Sequence, residues 1–239
     1  RTSPFAFTGN KFEFRAVGSS QNISTPITAI NTIIAESLDY MTEKIKKASA
    51  GGGDFNTAVL RVVSEVVKET RKIRFEGNNY SADWVKEAKK RGLPNIAATY
   101  KSLEDLTKPE NIRLFEKYKV FSKDELLARF HIWIHMYDLT LEIEANTLIE
   151  MVNASIVPAG YQYEKLLAGS LHELMSLKKT SGLSIDAAAL KDKKEHLSEI
   201  VSKIYYVRRN TIEMGKLLAK AAKLNNEKRA ELYFNELKP

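Results

Sequence analysis

The residues whose types and spacing could do chemistry stand at the start of the sequence: Arg1-Thr2-Ser3-Pro4-Phe5-Ala6-Phe7-Thr8-Gly9-Asn10-Lys11-Phe12-Glu13-Phe14-Arg15. Successive side chains of an extended strand point to opposite faces, so Lys11, Glu13 and Arg15 share one face while Phe12 and Phe14 share the other. A carboxylate set between cations is costly inside a core. Beside a phosphorylated nucleotide and its metal ions the same arrangement is useful. The Glu13 carboxylate suits a hard divalent cation, Mg2+ or Mn2+, and the arginines can hold phosphoryl or carboxylate oxygens through bidentate hydrogen bonds. On spacing alone, an exposed sheet edge with alternating charges is the preferred account of the segment.

A second constellation is His131-Ile132-Trp133-Ile134-His135, two histidines one helical turn apart, with Asp138 and Glu142 continuing their face. Such spacing can bind zinc. It also arises on any packed or solvated helix face, and with no further ligand identifiable among the aromatic neighbours that second reading is preferred. His172 and His196 are isolated. Trp133, Tyr137, Tyr161, Tyr163, Tyr205 and Tyr206 fall at helical spacings or in pairs and read as packing or interface residues. Tyr206-Val207-Arg208-Arg209 reads as a solvated helix edge.

These residues must be positioned by a chain that is mainly α, a short N-terminal β-hairpin followed by long antiparallel helices. Phe5 to Phe7 and Lys11 to Val17 are strand-like runs around the turn Thr8-Gly9-Asn10. Thr25 is expected to cap a helix with Pro26 at its first position, carrying Ile27, Ile30, Ile34, Leu38, Met41 and Ile45 at helical spacing up to Gly51-Gly52-Gly53. Asp54 caps the next helix. Ser81 caps a short one that Arg91-Gly92-Leu93-Pro94-Asn95 stops, a brief piece follows Ser102, and Pro109 starts another. Ser122 with Glu125 forms a capping box, opening a helical stretch towards Ser176 that Pro158 and Gly160 should kink. A last long helix is expected from about Ser184 to Leu224, with a short one after Asn225-Asn226.

At 239 residues with 44% hydrophobic side chains, the chain can bury one substantial core or two small ones. Cysteine is absent, which removes disulfides, thiolate metal sites and cysteine nucleophiles, and fits a cytoplasmic protein. No run of about 18 apolar residues predicts a membrane span. The formal charge of +7 is spread among acids, without the aromatic and arginine pattern of a nucleic-acid surface, so no nucleic-acid partner is expected. The sequence opens on Arg1 without an initiator methionine and runs straight into strand-like text, so a preceding segment is expected.

The opening segment resembles the part of the glutamine synthetases in which an Asn-Arg-Ser/Thr start leads to a Lys/Arg-hydrophobic-Glu-hydrophobic-Arg strand. Ser3 to Asn10 resembles the type III subfamily in particular. So do Arg74 to Trp84, Arg91 to Asn95, Leu114 to Val120 and Leu141 to Met151. The resemblance implies that residues 1–50 are the C-terminal piece of a catalytic domain, its hairpin a remnant of the catalytic sheet, and 51–239 the subfamily's helical C-terminal region. It implies ATP-dependent ligation of ammonia to glutamate through γ-glutamyl phosphate, by a chain incomplete on its own. Glu13 would ligate one of the paired divalent metals, Mg2+ or Mn2+. Arg15 would contact the glutamate substrate at its reacting end, Arg1 the ATP phosphates and the transferring phosphoryl group, and Lys11 the nucleotide. The subunits would form a homo-oligomer, a dodecamer by family resemblance. Ala6 stands where the commoner family pattern has a further arginine, so a second phosphate contact must come from elsewhere. Two alternatives remain: a non-catalytic helical module for oligomerisation or regulator docking, and a related γ-glutamyl amine ligase.

Overall fold

The computed structural model describes residues 5–7, 11–14, 21–78, 80–182 and 184–237. Among these the chain is mainly helical and divides into two compact units, 1–130 and 131–239.

In the first unit, β1 (Phe5–Phe7) and β2 (Phe12–Phe14) run antiparallel with Ala6 opposite Glu13. Two long helices follow, α1 (Ser24–Ser49) and α2 (Phe55–Glu69), folded back on each other about a glycine tip where Gly52 takes a left-handed φ of 79°. Asp54 caps α2 by accepting from the Thr57 amide at 2.8 Å, and Glu69 at the far end takes a hydrogen bond from Tyr40 and an ion pair from Lys44 on α1. The α1 start differs from expectation. Ser24 already lies in the helix, and the side chain of Asn22 accepts from the Ser24 amide at 2.8 Å. A polar side chain two residues upstream thus takes the first free donor, and Thr25 is left inside the first turn.

The segment after α2 is held by one arginine. Arg91, at the end of α3 (Ala82–Lys90), donates to the carbonyls of Lys72 at 3.3 Å and Arg74 at 2.8 Å, pairs with Glu87, and lies over Trp84. Trp84 in turn stacks on Phe75, centroids 4.2 Å apart. Gly77 permits this: its φ is 141°, and a Cβ there would sit 3.0 Å from the Phe75 ring. After α4 (Thr99–Glu104), α5 (Pro109–Lys117) is tied to α1. Lys117 pairs with Glu36, and the Tyr118 hydroxyl lies 2.8 Å from Glu36 and 2.7 Å from Asp39. The Lys117 ammonium holds the Glu36 carboxyl below its ordinary range.

The long helix α6 (Lys123–Met151) opens on the expected capping box: the Ser122 amide donates to Glu125 at 2.8 Å and the Glu125 amide to the Ser122 hydroxyl at 3.3 Å. In the second unit, α6 does not simply kink at Pro158. It widens into a π turn at Val152–Ile156 before α7 (Val157–Ser181), with the proline in the first turn of the new helix. The wider turn accommodates the missing amide donor and the pyrrolidine ring. Gly182, at φ 68°, ends α7, and α8 (Ala187–Ala221) returns antiparallel to it. Val152, Val157 and Ile204 are buried together there. Gly160 lets the backbones approach, since a Cβ would fall 2.9 Å from Ile204 Cγ1. Polar contacts hold the rest of the hairpin: Lys193 to Ser170 at 2.7 Å, Tyr163 to His196 at 3.1 Å, and Arg208 to the Tyr161 hydroxyl at 2.9 Å. Finally α9 (Asn226–Leu232), capped by Asn225, and a π turn at Tyr233–Leu237 bury Leu232 and Tyr233 beside Ala221.

Candidate functional site

Of the four residues assigned to the site, the structure describes Lys11 and Glu13. Pairing of β2 with β1 places Glu13 opposite Ala6, and the Lys11 ammonium lies 3.9 Å from the Glu13 carboxylate, Lys11 exposed and Glu13 partly covered. A carboxylate with a cation at that distance is a charge-balanced and accessible oxygen donor. Arg1 and Arg15 lie outside the described residues.

The histidine face does not bring its four side chains into one environment. His131 and His135 are exposed, Asp138 further along the same face is fully buried, and no three metal-ligating side chains converge among the described residues. Burial changes along one face because the segment after α8 packs beside the later part of α6, with Leu141 against the cluster around Tyr233. Asp138 has 0% exposure and neither of its oxygens meets a donor. Burial pushes its carboxyl up to about 6; the Arg229 guanidinium opposes that shift, and the Glu142 carboxylate adds to it. Arg229 spends its Nε and Nη2 on the carbonyls of Ala221 and Leu224, at 3.1 and 3.0 Å, closing the end of α8. Tyr233, buried beside them, is also raised by burial. Sequence reasoning left the Asp138 face as either packed or solvated. The signal it lacked was a tertiary one, the covering of that face by residues some 90 positions later.

A groove of about 700 Å³ runs between α6 and α8. Leu141, Ala145 and Leu148 line it from α6, Met214 and Leu217 from α8. Glu144, Glu213 and Glu236 stand among its lining, and no lysine or arginine does.

Residues 58–175, from α2 to the middle of α7, match the family model described as the glutamine synthetase C-terminal domain. This chain carries that glutamine synthetase domain. The similarity also runs beyond the matched residues. The type-3 glutamine synthetase of Dictyostelium discoideum is 33% identical over 236 residues, which cover 99% of this chain and 32% of the relative. The glutamine synthetase of Bacteroides fragilis (strain YCH46) is 31% identical over 239 residues, covering 100% of this chain and 32% of the relative. That of Butyrivibrio fibrisolvens is 29% identical over 220 residues, 92% and 29%. The chain therefore spans about a third of the length of the curated glutamine synthetases it matches. The elements of that domain are helices joined by turns, with no strand among its described residues, and Glu13 and Lys11 lie before it. No helix among the described residues is long and apolar enough to cross a membrane.

Proposed function

We propose that this chain acts as the C-terminal third of a type III glutamate–ammonia ligase, cytoplasmic and homo-oligomeric, lending one strand to a site whose other residues lie outside it. The observation that carries this reading is similarity along 99% of the chain to a protein named type-3 glutamine synthetase of which it covers only 32%. In such a reaction the γ-carboxylate of glutamate takes the terminal phosphoryl group of ATP and ADP leaves. Ammonia then attacks the acyl carbon, phosphate leaves, and a proton is lost. Charge neutralisation and positioning dominate chemistry of this kind.

Four side chains of the opening segment take roles in it. Arg1 holds the ATP phosphates and the transferring group, Lys11 the nucleotide, and Arg15 the glutamate at its reacting end. Glu13 offers a hard oxygen donor, which fits Mg2+ or Mn2+ as one contribution to a coordination sphere; one carboxylate is not a site, and the remaining donors come from elsewhere in the full-length enzyme. When bound, the divalent ion neutralises the phosphates. Lys11, 3.9 Å from Glu13, balances that carboxylate before the ion arrives. The helical body supports this strand and supplies contacts between subunits, a dodecamer being the assembly that the family resemblance suggests.

Glutamine formation from ATP, glutamate and ammonia tests the reading. The 239-residue chain alone is expected to bind ATP and glutamate weakly or not at all and to form no glutamine, while the full-length protein forms it with Mg2+ or Mn2+. Robust synthesis by the chain alone would overturn the claim that other residues complete the site. A full-length protein that uses amines but not ammonia would be an amine ligase, and one inert with every nucleophile would leave the helical module as the function.

A further inference from the structure

The face of α2 turned away from α1 is apolar and uncovered. Leu60 is 70%, Val63 39% and Val67 44% exposed, whereas Ala58 and Val62 on the opposite side are buried. Positions 60, 63 and 67 form one stripe along the helix. It ends in three exposed cations, Lys68, Arg71 and Lys72. The groove between α6 and α8 is the complement of this stripe. Its floor runs from Leu141 to Leu148, seven residues or about 10.5 Å, the same span as Leu60 to Val67. Its carboxylates are Glu144, Glu213 and Glu236; Lys216 and Lys220 balance the last two from outside the groove.

We propose that the groove of one copy receives α2 of a second copy, Leu60, Val63 and Val67 seated on the leucine floor and the cationic end of the helix against Glu144 and Glu213. This deepens the assembly reading above by naming the two surfaces that meet. The contact joins different patches of the two copies, so it repeats head to tail and closes into a ring when the rotation allows. Pairing of the cationic end of the helix with the carboxylates of the groove favours one direction of the helix in the groove.

The test is a charge swap, read by fluorescence anisotropy of a labelled peptide covering residues 55–74 titrated with the 239-residue chain. Saturable binding is expected, weakened at least tenfold by Leu148→Ser or by Glu144→Lys with Glu213→Lys. A peptide carrying Lys68→Glu, Arg71→Glu and Lys72→Glu should recover binding to the double lysine variant. Leu148, Glu144 and Glu213 are all exposed, so these variants leave the fold intact, which circular dichroism checks. Because an isolated 20-residue helix is marginal in water, the same swap is repeated between intact chains by light scattering. Undiminished binding to the groove variants, or no recovery on charge reversal in either format, overturns the proposal. Assembly that persists unchanged in those variants defeats this contact and leaves the oligomer standing; a full-length protein that is monomeric defeats both.

Discussion

Asp138 is the residue with the most to reveal in solution. It is fully buried, its oxygens meet no donor, and Arg229, Glu142 and Tyr233 are the titratable groups that act on it or beside it. Its carboxyl is raised from 3.8 to about 6. A raised acid is protonated more in the folded than in the unfolded chain, so its contribution to stability is fully present below pH 4 and is lost as the pH rises through 6. Asp138→Asn should flatten that dependence and leave the chain as stable or more stable at pH 7, by about 1–3 kcal/mol. Urea unfolding at pH 4.5 and pH 7 measures it; a variant clearly weaker at pH 7 would mean that the charged form is compensated by Arg229. The contrast with Glu13 is instructive. The reading of Glu13 rests on strand alternation, which is local and in the sequence sets a carboxylate between cations on one face. Asp138 was not legible in that way, because its environment is made by Arg229 and Tyr233, which no spacing within α6 announces.

At the scale of elements, the stops and starts that depend on neighbours in sequence were readable. Asp54, Ser81, and Ser122 with Glu125 all cap as their types and positions suggest. The start of α1 was misplaced because Asn22 takes over the first donor, and Pro158 announced a break without announcing that a π turn would absorb it. Two substitutions test this level. Ser122→Ala removes half of the capping box and should cost about 0.5–2 kcal/mol in urea unfolding, with the m-value unchanged. Gly160→Ala drives a methyl to 2.9 Å from Ile204 Cγ1, a stiff, buried side chain, and should cost about 1–3 kcal/mol. A neutral Gly160→Ala would mean that α7 and α8 separate more readily than their contacts indicate.

For the whole molecule, composition and periodicity were enough to establish a mainly helical chain, and resemblance supplied the family that residues 58–175 then matched. What neither could supply was the pairing of surfaces. The apolar stripe of α2 and the groove between α6 and α8 are each assembled from residues whose exposure depends on which neighbours cover them. On this account the helical body serves the short charged strand that precedes it, and the strand contributes to chemistry only within the longer enzyme. The most direct test is steady-state glutamine formation by the full-length protein carrying Glu13→Gln, followed across a Mn2+ titration. The account predicts a rate lowered by about 100-fold or more, with a higher metal requirement and an unchanged assembly size; a wild-type rate at the wild-type metal requirement would contradict it.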